Sequence, residues 1–195
     1  MVTARQRLTF EEFLRLPEEK PALEYFYGTV TQKVSPKARH GRLQLRFGMM
    51  IEIAAGEPPA FWAMTELRVH WPGKVSFVPD LAVYRVERLP GGPSGEIEDD
   101  LFVPPDVAVE VVSPSQSLFE TLERARWFVR HGVTAVVIIQ PRDRSVRVVR
   151  EDAESGPYFG DELVDLSDAL SGFTFVVRDL FAAIDLPQST LPDAS

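Results

Sequence analysis

Cysteine is absent from the 195 residues, and histidine occurs only three times. Without a thiol the chain can form no disulfide, no thiolate metal site and no cysteine nucleophile, and it suits a reducing compartment. The histidines, at positions 40, 70 and 131, are too scattered for a histidine-rich zinc site. No run of about eighteen apolar residues exists to span a membrane. The residues from Met1 to Arg7 lead into no apolar segment of the kind a secretory signal carries. The expected location is the cytoplasm. Also missing are a phosphate-cradling glycine loop, a Gly-x-Gly-x-x-Gly turn, a His-Glu-x-x-His helix and a Gly-x-Ser-x-Gly elbow. No internal repeat or low-complexity stretch occurs.

What is present describes an ordinary globular chain, 45% hydrophobic and 26% charged. Its length suits one domain with a substantial core, expected over 1–186, followed by a flexible tail over 187–195. A net charge of −8 argues against a protein that coats nucleic acid through bulk charge. An enzyme with a local basic groove stays compatible with it, so the distribution of charge matters more than the sum.

Thr9-Phe10-Glu11-Glu12 has the form of a capping box and predicts a short helix that Pro17 helps to end. Leu23 to Val34 reads as two strands turning at Tyr27-Gly28, with Glu24 near the start, where a solvated carboxylate is the plainer reading. Ser35-Pro36 predicts the start of a helix that ends at Gly56, with Leu43, Phe47, Met50, Ile51 and Ala54 as its apolar stripe. His40 falls on that inward stripe, as a core histidine would. Arg39, Arg42 and Arg46 gather on one edge, with Lys37 nearby and no acid before Glu52. They are the candidates for phosphate contact, against the plainer reading of a solvated helix face.

Phe61 to Trp71 predicts one strand closed by a Pro72-Gly73 turn. The apolar run from Val75 to Tyr84 is interrupted by Asp80, and Pro79 within it implies a bulge or a strand end. A long connection with Gly91-Gly92 and a solvated acidic run (Glu96, Glu98, Asp99, Asp100) leads to Val107-Ala108-Val109-Glu110-Val111-Val112-Ser113, a buried strand with a carboxylate inserted. Ser117-Leu118-Phe119-Glu120 predicts a second capping box and a helix ending at Gly132. Ala135 to Ile139 predicts a strand covered on both faces, making a right-handed crossover unit with the Glu110 strand. The Pro141-Arg142-Asp143-Arg144 turn leads to another strand over 145–150, and a short helix over 178–184 closes the domain.

Asp80 and Glu110 are therefore the anomalies, since charged side chains are rarely buried unless paired or bound to a metal. Oxygen ligands alone suit Mg²⁺ or Mn²⁺, which takes one or two carboxylates together with water and phosphate oxygens. Hydrolysis of phosphodiesters is a natural use of such a site.

Val78-Pro79-Asp80 followed by Val109-Glu110-Val111-Val112-Ser113-Pro114 resembles the PD-(D/E)XK nuclease superfamily, and within it the Uma-type restriction endonuclease family. The likeness extends over nearly the whole chain. It takes in Leu8 to Leu14, Leu23-Glu24-Tyr25 with Gly28, Ser35-Pro36 with His40, Gly132-Val133 with Pro141, and Ser171-Gly172-Phe173-Thr174. The resemblance implies an α/β restriction-endonuclease-like core, a mixed central sheet flanked by helices. It implies Asp80 and Glu110 as ligands of Mg²⁺ or Mn²⁺, Glu24 as a further acid beside the metal, and hydrolysis of DNA by a homodimer. Three positions depart from the pattern. Val112 stands where the superfamily has lysine, Tyr27 where the family has Asp before Gly28, and Gln140 where Asp precedes Pro141. The family's displaced lysine, four residues before an aromatic and eight before the glycine, corresponds to Arg124. An arginine can stabilise transition-state charge but cannot act as a base. Arg126 is the alternative on the same helix.

Three readings follow. The first is a metal-dependent endodeoxyribonuclease with Asp80 and Glu110 on the metal, Arg124 steadying charge, and Arg39, Arg42 and Arg46 on the DNA backbone. The second is a nuclease-fold protein without turnover, working as a DNA- or protein-binding module. The third keeps Glu110 as the ion-pair partner of Arg124 or Arg126, with no metal.

Overall fold

Thr9 accepts from the Glu12 amide and Glu12 accepts from the Thr9 amide, so α1 (Phe10–Leu14) opens on the expected capping box. β1 (Leu23–Phe26) and β2 (Thr29–Gln32) form a hairpin whose turn residues Tyr27 and Gly28 have φ of 42° and 94°. Positive φ at both positions lets a two-residue turn follow the twist of its strands. Next come α2 (Ala38–Ala54), β3 (Phe61–Thr65), β4 (Val69–Trp71), β5 (Val75–Phe77), β6 (Leu81–Arg85) and β7 (Val107–Val111). After them follow α3 (Leu118–Arg130), β8 (Ala135–Gln140), β9 (Ser145–Val149), β10 (Glu154–Tyr158), β11 (Leu163–Asp165), β12 (Thr174–Val176) and α4 (Val177–Phe181). The computed structural model describes residues 7–71, 75–92 and 94–187. The expected Pro72-Gly73 turn, and the expected tail beyond Pro187, lie outside the described residues.

The fold is mixed α/β. A six-stranded sheet has the order β10-β9-β8-β7-β6-β3, with β7 and β8 parallel at its centre and Val109 opposite Val137. The other neighbours in this sheet are antiparallel. Alternation on β7 feeds both faces. Val107, Val109 and Val111 pack with Leu43, Phe47 and Ile51 of α2 and with Leu180 and Phe181 of α4. Ala108 and Val112 turn toward Ala125, Phe128 and Val129 of α3. Burying each such large apolar side chain contributes roughly 1.5–3 kcal/mol. A four-stranded sheet, β2-β1-β5-β4, lies beside the first. Among the described residues, no helix is long and apolar enough to cross a membrane.

Pro79 decides where the site forms. The apolar run over 75–84 does not continue as one strand, because proline cannot donate to a ladder. The chain leaves the four-stranded sheet at Phe77 and enters the six-stranded sheet at Leu81, leaving Asp80 at the junction of the two.

Several expectations need correcting. α2 begins at Ala38, not at Ser35-Pro36, because the Lys33 amide still bonds to the Ala22 carbonyl and Lys37 is extended at ψ 166°. Ala55, not Ala54, is the buried alanine at its end. The single strand expected over 61–71 is two strands in different sheets, since Glu66 takes φ 52° and redirects the chain. Ser117 does begin α3, but its side chain makes no cap; its carbonyl accepts from Thr121 instead. β10, β11 and β12 are additional strands that the hydrophobic pattern does not announce.

Candidate active site

Where the two sheets meet, five charged side chains from distant parts of the chain come together. Asp80 stands just before β6, Glu110 is on β7, Glu24 on β1, Arg124 on α3, and Lys33 directly follows β2. The three carboxylates are buried, each 2–6% exposed. Arg124 donates through Nη1 and Nη2 to both oxygens of Glu24, at 2.7 and 2.6 Å, and through Nε to Glu110 Oε1 at 2.9 Å. Its guanidinium also lies over Phe77, 4.4 Å from the ring centre. Glu24 further accepts the Val78 amide at 2.9 Å, which ties β1 to the Val78-Pro79-Asp80 corner.

Asp80 is anchored at every polar atom. Its amide donates to the Val109 carbonyl and its own carbonyl accepts from Gln44 Nε2 at 2.6 Å. Oδ2 accepts the Val111 amide at 2.8 Å, and Oδ1 accepts from Lys33 Nζ at 2.7 Å. His40, buried on α2, brings Nε2 within 3.2 Å of Oδ2 but out of line for a hydrogen bond, while its Nδ1 meets Ser113 Oγ at 3.4 Å. His40 is thus buried as expected of its place on the stripe, yet it borders the acid cluster.

Of the acids singled out in the sequence, Asp80, Glu110 and Glu24 share this one cluster, and Arg124 joins them. Glu24 is not a solvated strand end, since Arg124 and the Val78 amide take up its charge. Arg126 stands apart, pairing on the surface with Glu123 and Glu154. The arginine row on α2 divides. Arg42 and Arg46 donate through Nε to the carbonyls of Ala183 and Asp179 at the C-terminal end of the chain, while Arg39 is exposed near the start of the helix. Lys33 is the member that sequence reasoning misses. Nothing local marks it, because its partner Asp80 is 47 residues away.

The electrostatics follow from a surplus of acid. Three carboxylates face two permanent cations, Lys33 and Arg124, so the acids outnumber these cations although each has an ion-pair partner. Burial pushes the Glu110 carboxyl up, to about 7, with Asp80 and Glu24 adding to the effect and Arg124 and Lys33 opposing it. Glu24, with two bonds from Arg124 and one from Val78, is held below its usual range although burial works against it. Burial opposes ionisation of Asp80 too, but His40 and Lys33 hold it at about 2. Lys33 is itself raised by Asp80 and Glu110 against the effect of burial, so it is a standing ammonium.

A hard divalent cation fits this donor set. Asp80 and Glu110 supply oxygen ligands, and the surplus of acid is of the sign a cation would relieve. Among the described residues no group of three or more Asp, Glu or His side chains is placed to hold a metal ion. A Mg²⁺ site that finishes its shell with water and substrate oxygens needs none.

The family model described as "Uma2: Putative restriction endonuclease" matches residues 10–180. The chain belongs to the Uma2 family. Among solved structures, one described as a putative nuclease belonging to DUF820, from Anabaena variabilis, superposes with a TM-score of 0.84 at 31% identity. The match covers 90% of this chain and 98% of the other. No curated protein matches. The family and this neighbour support a nuclease-type function for a restriction-endonuclease-like fold, of a kind that generally uses divalent metals on DNA.

Proposed function

We propose that the protein is a metal-dependent endodeoxyribonuclease that hydrolyses DNA phosphodiester bonds, with Asp80 and Glu110 holding Mg²⁺ or Mn²⁺. The observation that carries this reading is the buried acid cluster, in which three carboxylates outnumber Lys33 and Arg124. A divalent cation there would lower the pKa of a water and neutralise charge on the phosphoryl group.

The chain's own residues then divide the work. All three guanidinium nitrogens of Arg124 donate to Glu24 or Glu110, so it fixes the direction of the Glu110 carboxylate. Lys33 spends one N–H on Asp80 Oδ1 and approaches Glu66 only to 3.8 Å, so its ammonium keeps donors for a phosphoryl oxygen gaining charge. Being held protonated, it acts by charge rather than as a base. The Gln44 and Val111 bonds hold Asp80 in place before a ligand arrives. Cutting both strands of a duplex takes two such sites, which a homodimer would bring, and sedimentation velocity tests that part.

The deciding experiment compares wild type with Asp80→Ala in Mg²⁺ and in Mn²⁺. Cleavage should fall by about a thousandfold, and calorimetric Mn²⁺ binding should be lost with it. Metal-dependent cleavage that survives the substitution rules the mechanism out. The second reading, a binding module without turnover, draws on Val112 in the lysine position and on an Arg124 saturated by carboxylates. No cleavage of any DNA by the wild type, with a gain in Arg124→Lys, favours that reading.

A further inference from the structure

One groove reaches the acid cluster and a second lies beside His40, and their charges are opposite. One, of about 720 Å³, reaches Lys33 and Val78; five carboxylates (Glu18, Glu19, Glu66, Asp99, Asp100) and three cations (Lys20, Lys33, Arg68) line it. The other, of about 840 Å³, lies where α2 and α3 begin and where the strand ends at Val112 and Gln140 open. It is lined by Lys37, Arg39 and Arg142 and by no carboxylate at all. In a chain of net charge −8, a groove carrying three cations and no acid needs an explanation.

We propose that this second groove binds the phosphodiester backbone of the nucleic-acid strand that enters the site. The identity of the ligand rests on the nuclease reading; the anionic character of the ligand rests on the groove alone. Lys37, Arg39 and Arg142 are exposed side chains, free to follow a flexible polyanion. Two helices of 17 and 13 residues start at its edge, and neither has a side-chain cap on its first amides. Uncapped amides and the positive end of the helix dipole favour a phosphate oxygen. His40 borders the groove and is only 6% exposed, with its Nε2 buried and turned to Asp80. That atom lies 3.2 Å from Asp80 Oδ2, so His40 links the groove to the acid cluster. The phosphate-contact set thus differs from the arginine row on α2. Arg39 stays, Lys37 and Arg142 join it, and Arg42 and Arg46 hold the C-terminal elements.

Binding of a short fluorescein-labelled DNA oligonucleotide, single-stranded and duplex, tests this by anisotropy with Ca²⁺ as the only divalent ion. The variants are the triple Lys37→Gln, Arg39→Gln, Arg142→Gln and, in the acidic groove, Lys20→Gln. The triple variant should bind at least about tenfold more weakly. Its slope of log affinity against log salt, measured between about 50 and 200 mM, should be shallower by about two to three, since each lost contact removes about 0.7 to 0.9. Lys20→Gln should bind within about twofold of wild type. An unchanged slope in the triple variant, an equal loss in Lys20→Gln, or no DNA binding by wild type overturns the proposal. Thermal melts confirm that these surface changes leave the fold intact. Cleavage of the same oligonucleotides in Mg²⁺ is scored separately. A wild type that binds through this groove but never cuts overturns the nuclease reading and leaves the groove. A wild type that cuts, with binding indifferent to the triple change, overturns the groove and leaves the nuclease.

Discussion

Replacing Arg124 by methionine, which is unbranched and of similar reach, removes the cation shared by Glu24 and Glu110. Glu24 then has only the Val78 amide, and its escape is to take up a proton. At about pH 7.5, protonating a carboxyl of ordinary pKa 4.5 costs about 4 kcal/mol, at about 1.36 kcal/mol per unit. This figure is a ceiling, because protonation is always open to the group. Glu110 is already pushed up to about 7, so its protonation adds less than about 1 kcal/mol at that pH. The guanidinium contacts with Phe77 and Phe128 contribute about 1 kcal/mol more, part of which methionine recovers by packing. The sum, about 4–5 kcal/mol, agrees with the roughly 3–5 kcal/mol expected when one partner of a buried pair is deleted. In a chain of this length it lowers Tm by roughly 8–20 °C. The sign of the pH dependence is fixed. Glu24 is held low in the folded protein, so its contribution is present above 4.5 and is lost as pH falls through its folded value. At about pH 5.5 the same substitution should therefore cost only about 1.5–2.5 kcal/mol. Urea denaturation of both proteins at the two pH values, in EDTA, measures the difference. Equal losses at both, or a loss below about 1 kcal/mol at the higher pH, would refute the assignment of Arg124 as the clamp.

Lys33→Met should lower metal-dependent cleavage by about a hundredfold or more, while Mn²⁺ binding by calorimetry stays level or tightens because Asp80 Oδ1 is freed. Weaker Mn²⁺ binding would make Lys33 a structural counter-ion only. Gly156 holds φ 96°, and a Cβ there would come 2.7 Å from the Val146 carbonyl oxygen, so Gly156→Ala should destabilise by about 1–3 kcal/mol in chemical denaturation. A neutral result would mean that β10 is free to move off the sheet edge. His70 is buried between the rings of Phe10 and Phe102, and burial lowers its pKa, with Asp100 opposing. Its contribution is present above pH 6.5 and is lost on acidification, so His70→Phe should flatten the fall of Tm below that pH; an unchanged slope would assign the acid sensitivity elsewhere.

The central strands were legible because β7 and β8 are apolar runs of strand length joined by a helix with clear start and stop signals, and short-range patterning decides such elements. β10 was not, because Glu154-Ser155-Gly156-Pro157-Tyr158 reads as a turn; it pairs only as an edge strand with a register shift. The break at Glu66 was invisible for a related reason, since a non-glycine residue with positive φ leaves no compositional trace. In the site, Asp80 and Glu110 announced themselves as acids inside apolar runs, and Arg124 through the family resemblance, by its count back from Gly132. Lys33 did not, and Glu24 was legible only through the family resemblance, because a polar residue at a strand end is ordinary until the second sheet is laid against it. Their meaning is tertiary. It arises from the hydrogen bonds of Arg124 and Asp80, which span 100 and 47 residues of chain.

The composition of the cluster argues about its purpose. Replacing a buried ion network by apolar side chains of similar volume is often neutral or stabilising, so stability alone gives no reason to bury Glu24, Lys33, Asp80, Glu110 and Arg124 together. Nor are the five equivalent. Arg124 is immobilised by three short bonds and two aromatic faces, which suits a group that must hold a carboxylate still. Lys33 has one short bond and a flexible stem, and lies on the wall of a groove, which suits a group that must meet something new. On the strand carrying Glu110, the position two residues on is Val112, which packs with Ala125 and Phe128. An ammonium delivered to Asp80 from the end of β2 leaves that packing undisturbed and still places positive charge beside the paired carboxylates. On this reading the valine is a consequence of where the charge comes from, and the absence of lysine from β7 is not by itself evidence against turnover.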